Sequence, residues 1–333
     1  MNLSMTPDVL FNNRQARQNA LIRSRLETAG QEAITGKRSD VVAATNGRVG
    51  DAFLLDKAAA DLDRQRGTAK LAKSRMDTAA GAITLIRETV TGLGAEGRVT
   101  LSQGGPNDIV LLADNAADRL AQTMSALGRR SGTRHLFSGT NTVGGPLAAT
   151  ETLQAAVNAE IAAAPDAASA IAAIERYFND AGAGFETDIY QGSVEDGPRL
   201  HISDDLSYDP IPKGDDPLFR DIMRGYAMIA GATQFASKAD RIAMMDAGLS
   251  LLEKAGDSAI VMETRLGAAQ QSLERATESF DREASLIAIA QNDMLGRDPF
   301  EAASEIQALE QQLQASYTVT GRLGSLSLAN FLR

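Results

Sequence analysis

Two stretches of this chain place apolar residues at alternating steps of three and four. Met76, Ala79, Ile83, Ile86, Val90 and Leu93 form the first; Leu266, Ala269, Leu273, Ala276, Phe280, Ala284, Ile287, Ala290 and Met294 form the second. Strands alternate every two residues, so this rhythm excludes them here and lays each set along one side of a long helix, as in a coiled-coil seam. A single helix over 257–294 would run roughly 57 Å at 1.5 Å per residue, longer than helices of compact globules usually are. The expected architecture is therefore a rod of packed helices. Composition agrees: 44% of the 333 residues are hydrophobic but only 5% are aromatic and none is Trp. Such a chain can bury a core, built from Ala, Leu, Ile, Val and Met in thin helix–helix layers.

Turn chemistry divides the chain. The glycines of TGLGAEG (91–97) are expected to cap the first seam and form a loop. Asn107 or Asp108 then caps a second helix with Ile109, Leu112, Ala116, Leu120, Thr123 and Leu127 on one face, ending near Gly128. Asp216-Pro217 and Asp298-Pro299 each pair an N-cap acceptor with a proline at the first helical position. Glu301 completes a capping box in the second, which starts a helix through Ile306, Leu309, Leu313, Ser316, Thr320 and Leu323, with Gly296 as a hinge before it. Residues 8–35 form an N-terminal helix with Ile22, Leu26, Ala29 and Ala33 on a narrow stripe, closed by Gly36. In mid-chain, LFSGTNTVGGP (136–146) ends the first arm. Two Ala-rich helices (151–163 and 167–179) follow, then a region 182–215 whose DIYQG and RLHIS runs suggest a hairpin.

The predicted fold class is mainly α: an elongated antiparallel helical rod or coiled-coil bundle formed by the N- and C-terminal arms, with a small mixed α/β insert in mid-sequence. The expected division is 1–45 with 295–333 as a terminal helical domain, 46–148 with 216–294 as the rod, and 149–215 as an outward-facing insert. Neither terminal segment has enough large apolar residues to hold itself folded, so both are expected to be loose in an isolated monomer and to need partner helices.

The chemistry points away from catalysis. Only His135 and His201 are available as general bases; His135 is explained by a cation near a helix C-terminus and His201 by a strand. The acidic run Glu195, Asp196, Asp204, Asp205, Asp209, Asp215 and Asp216 fits no EF-hand spacing and reads as a solvated, turn-forming loop. TGLGAEG and SQGGPND lack the GK[ST] ending of a phosphate loop. No catalytic, cofactor-binding or metal-binding residue is expected. A net charge of −10 without a basic block argues against nucleic acid. The absence of Cys removes disulfides and thiolate chemistry, and suits a chain that crosses an oxidising compartment unfolded. MNLSMTPDVLFNNRQ has no basic n-region or apolar h-region, and no stretch approaches ~18 consecutive apolar residues. The expectation is neither a Sec-type signal nor membrane insertion.

Three segments carry a family resemblance. AITGKRSD (33–40), LFSGT (136–140) and LQASYTVTGRLGSLSLANFL (313–332) are similar to signatures of the hook-associated protein 3 family, the hook–filament junction proteins of the flagellin-like superfamily. SDVVAATNGRVG (39–50) departs from the corresponding segments of both that family and flagellin, which leaves a minor flagellin as the alternative. The resemblance implies a secreted structural subunit of the bacterial flagellum, exported unfolded by the type III pathway and assembled as a ring at the distal hook. It implies as partners further copies of itself, the other hook-associated junction protein, flagellin and a flagellar export chaperone. The residues expected at the subunit or chaperone interface are Ile306, Leu309, Leu313, Leu323, Leu326, Leu328, Phe331 and Leu332, with Ile22 and Leu26 opposite.

Overall fold

The three-four rhythm emerges as two very long helices. A computed structural model describes residues 6–182, 184–203 and 206–331, with side chains described only within 13–322. In chain order the elements are α1 (Thr6–Thr35), α2 (Val41–Ala44), α3 (Val49–Gln103), α4 (Pro106–Leu127), β1 (Arg130–Ser131), β2 (Arg134–His135), α5 (Thr150–Ala163) and α6 (Ala167–Asn179). They continue with a π-helical turn (Phe185–Ile189), β3 (Leu200–Ser203), β4 (Leu206–Tyr208), α7 (Pro217–Gly231), α8 (Lys238–Leu295) and α9 (Pro299–Phe331). The mainly helical class expected from the spacing is the class observed. The chain forms two compact units, one from Gln65–Ser279 and one from the segments on either side of it.

The Gln65–Ser279 unit holds the large core. Here α3 and α8 run antiparallel, as their cross-links show: Gln270 Nε2 donates to Asp77 Oδ1 (2.8 Å), Thr84 Oγ1 and Arg87 Nε donate to Glu263 (2.6 and 2.7 Å), and Arg98 grips Glu253. Between these ties Met76, Ala79, Ile83, Ile86, Val90 and Leu93 are all buried. The α4 face of Ile109, Leu112, Ala116, Leu120, Thr123 and Leu127 is buried too, and α7 lies on it with Phe219, Ile222 and Tyr226. Leu153, Val157 and Ile161 of α5 and Ala170, Ile174 and Phe178 of α6 join the same core. Phe137 meets Phe219 edge-on at 5.8 Å, and Phe178 stacks on Phe185 at 5.2 Å.

The glycine cluster 91–97 is not the loop it was expected to be, because α3 runs through it to Gln103. The glycines serve packing instead. A Cβ at Gly97 would lie 2.5 Å from Leu249 Cδ2 of α8, and one at Gly92 would lie 2.9 Å from Arg119 Nη1 of α4. Close approach of two neighbouring helices outweighs the roughly 1 kcal/mol that each helical glycine costs. The same device recurs where α7 crosses α8: a Cβ on Gly225 would sit 3.1 Å from the Gly248 carbonyl, and one on Gly248 2.8 Å from the Gly225 carbonyl.

Three further boundaries differ from expectation. Helix α4 starts at Pro106, two or three residues early, with Gly105 as its N-cap rather than Asn107 or Asp108; Asp108 instead accepts from the Gly105 N–H (2.7 Å) from the third helical position. Helix α8 starts at Lys238 rather than near 257, and Met244, Met245, Leu249 and Leu252 are buried along the added length. DIYQG lies not in a strand but at the end of the π-helical turn, after which Tyr190 pairs with Leu147 in an isolated bridge. RLHIS does form a strand: β3 pairs antiparallel with β4, and Tyr208 Oη donates to Ser272 Oγ of α8 (3.2 Å).

The LFSGT stretch is a buckle. Phe137 is fully buried, its carbonyl accepts from Gly214 N (2.7 Å), and the Ser138 carbonyl accepts from Ser193 N (3.0 Å). Gly139 has φ +64°, and a Cβ there would stand 2.5 Å from the Glu195 carbonyl oxygen. Only glycine fits that backbone against that neighbour. Chain leaving the core at 136–146 and chain returning at 190–214 are thereby clasped together.

Candidate assembly surface

In the other unit the N- and C-terminal helices pair with one another. Helix α1 ends where Gly36 turns at φ +65°. Helix α9 starts where Asp298 Oδ1 accepts from Phe300 N (2.7 Å), with Pro299 at the first position. Between these ends the chain is stitched by main-chain bonds, Arg38 N to Leu295 O (2.7 Å) and Arg297 N to Gly36 O (2.9 Å), around a Lys37–Gly296 bridge. Gly296 is thus a fixed corner. The Arg297 guanidinium lies at this corner, 3.5 Å from Glu32, 3.3 Å from Glu301 and also against Glu305; its side chain and that of Glu32 are almost fully covered. Glu32 accepts as well from Ser39 N (2.7 Å). The expected capping-box glutamate, Glu301, faces Arg297 and, at 3.8 Å, Arg38.

Away from the corner the seam between α1 and α9 is thin. Ile22, Ala29 and Leu309 are its buried centre, with Leu26, Ile306 and Leu313 half-buried around them. Beyond them the contacts turn polar: Gln15 Nε2 donates to Ser316 Oγ (2.8 Å), and Arg23 Nε donates to Tyr317 Oη (2.9 Å) with the guanidinium over the ring. Five of the residues singled out from sequence, Ile22, Leu26, Ile306, Leu309 and Leu313, are therefore brought into one cluster. Leu323, Leu326, Leu328 and Phe331 lie on the α9 backbone with side chains outside the described ones, and Leu332 lies outside the described residues.

The same unit contains the start of α3 and the end of α8, tied by Gln291 Nε2 donating to Asp56 Oδ1 (2.8 Å). Their outer faces are apolar and open. Phe53 and Leu54 on α3 are 68% and 63% exposed, and Leu286 and Ile289 on α8 are 67% and 58% exposed. Phe300 at the start of α9 is 81% exposed. Sequence reading missed both the Arg297 corner and these open residues. Part of the corner was readable, since Glu301 and Glu305 follow Arg297 at helical spacing, but Glu32 comes from the far end of the chain. The open residues break the three-four pattern, and that was their only signal.

Other polar groups singled out earlier have structural occupations. His135 Nδ1 donates to the carbonyl of Gly128, the C-cap of α4 (3.0 Å), and His201 is exposed on β3. Asp196 and Asp215 flank Lys213 at 3.4 and 3.6 Å, Asp209 faces Arg199 at 3.4 Å, and Asp216 Oδ1 caps α7 by accepting from Leu218 N (3.0 Å). Burial pushes the Asp215 carboxyl up, opposed by Lys213. Asp204 and Asp205 lie outside the described residues. Among the described residues no three His, Asp or Glu side chains are placed to hold a metal, and no helix is long and apolar enough to cross a membrane.

Residues 249–332 match the family model for the bacterial flagellin C-terminal helical region. That match spans most of α8 and all of α9. Among solved structures, the chain is similar to FlgL of Bacillus cereus, with a TM-score of 0.53 and 13% identity over 72% of this chain and 98% of that one. A protein of Vibrio parahaemolyticus described as flagellar hook-associated aligns with a TM-score of 0.44 and 12% identity, over 76% of this chain and 99% of that one. No curated protein matches. At these identities the FlgL likeness is one of fold.

Proposed function

We propose that the chain is a non-enzymatic structural subunit of the bacterial flagellum that joins hook to filament. In this reading it is exported unfolded and assembles as a ring of copies at the distal end of the hook. The observation that carries the proposal is the coincidence of two features in one segment. The stretch that matches the flagellin C-terminal helical region is also the stretch whose helices, with α1 and the start of α3, leave large apolar side chains open. Exposed apolar residues clustered on a helical unit mark a surface that buries more area on association than the monomer buries alone. Its partners in this reading are further copies, the other junction protein, flagellin and an export chaperone that covers the C-terminal helix before secretion. The FlgL-like fold supports the junction role.

A filament subunit is the second reading, favoured by the flagellin match itself. Location separates the two. Tagged protein imaged on cells should mark a short zone at the hook tip, and a deletion strain should keep its hook while shedding flagellin into the medium. Label along the whole filament, with filaments still attached in the deletion strain, would establish the second reading and end the first.

A further inference from the structure

Although the chain carries a net charge of −10, one small pocket of the Gln65–Ser279 unit is lined, among the described residues, by two arginines and by no carboxylate. It measures about 70 Å³. Arg75 enters it from α3, and Arg134 and His135 enter it from β2; Thr142, Gly139 and Leu200 complete its walls. Arg75 is half-buried, and among the described residues neither it nor Arg134 has a hydrogen-bond or ion-pair partner. The His135 ring is turned so that Nδ1 donates to the Gly128 carbonyl, which fixes its place in the wall. The hairpin that carries these groups is rigidly registered: Arg130 pairs with His135, Ser131 pairs with Arg134, and His135 N donates to Thr142 O (2.9 Å).

Two guanidinium groups that share a pocket repel each other, and a half-buried one without a partner is costly. An oxyanion between them reverses the sign of both effects, because the planar fork of arginine matches the paired oxygens of carboxylate, phosphate or sulfate. The pocket is small, and it has room for an oxyanion head.

We propose that Arg75 and Arg134 form a binding site for a single small oxyanion, either a free phosphate or sulfate or a carboxylate presented by a neighbouring subunit. The site stands apart from the flagellar reading and is tested on the purified full-length chain. Thermal unfolding is followed in phosphate, sulfate, acetate and chloride at matched ionic strength. The unfolding midpoint should rise by a few degrees in an oxyanion relative to chloride, and the rise should vanish in Arg75→Gln and Arg134→Gln. It should persist in Arg130→Gln, whose side chain does not line the pocket. A larger rise in phosphate and sulfate assigns the site to a free tetrahedral anion, and a larger rise in acetate assigns it to a side-chain carboxylate. Equal midpoints in all four salts, or a rise that survives in Arg134→Gln, overturn the proposal. Arg134 is exposed, so its variant decides the matter even if Arg75→Gln fails to fold.

Discussion

Within Gln65–Ser279, α3 and α8 bury Ile83, Ile86, Leu93, Leu249 and Leu252, and α4, α5, α6 and α7 add Leu120, Ile161, Phe178 and Phe219 to the same core. In the other unit the large buried side chains are Ile22, Leu62, Leu295 and Leu309, while Phe53, Leu54, Leu286, Ile289 and Phe300 face outward. Helical spacing is equally regular in both. What differs is how many further elements cover the helices, and so how much of the apolar content each unit satisfies by itself. One unit is a core of several covering helices; the other is a thin helical seam, and with fewer contacts to break its local opening is expected to cost less.

The largest test of this contrast is a cavity in the many-helix core. Phe219→Ala removes a fully buried ring from the α4–α7 packing, and should cost about 3–5 kcal/mol in denaturant-induced unfolding of the whole chain. A loss below about 1 kcal/mol would mean that this core is not the main source of stability. Next comes Gly139→Ala at the buckle, where φ +64° and the Glu195 carbonyl at 2.5 Å both oppose a Cβ. Its expected cost is about 2 kcal/mol, read from the same unfolding curves.

Leu309→Ala probes the thin seam. Amide exchange along α1 and α9 should accelerate about tenfold, equivalent to about 1.4 kcal/mol of local opening, while amides in α4 and α7 stay unchanged. Equal acceleration in both units would erase the distinction between them. Limited proteolysis gives a companion reading: roughly 40 residues should be trimmed from each end before the middle is cut.

The smallest effect is electrostatic. Hydrogen bonds from Arg98 hold the Glu253 carboxyl below its usual range. A lowered folded-state value gives stability that is present above the ordinary carboxylate range and lost as pH falls through the lowered value. Both partners are largely solvent-exposed, so the contribution is small. The difference in unfolding midpoint between the parent chain and Arg98→Gln should therefore be slight at neutral pH and vanish in acid. A difference independent of pH would assign Arg98 to packing rather than to charge.

Helix type, the caps at Asp216 and Asp298, the buried stripes of α3 and α4 and the cluster of Ile22, Leu26, Ile306, Leu309 and Leu313 were legible in the residues alone. Each depends on spacing or on a neighbour within a few positions, and such local rules survive folding. Tertiary structure decided the rest. It kept Gly92 and Gly97 helical because Arg119 and Leu249 occupy the space of their missing Cβ atoms, and it set Arg297 beside Glu32 across the length of the chain. It also gathered Arg75 and Arg134 into one pocket with no acid among the described residues that line it. A glycine signals a break or a close approach with equal force in sequence, and an arginine has no fixed partner until distant helices are packed; only the assembled core chooses between those alternatives.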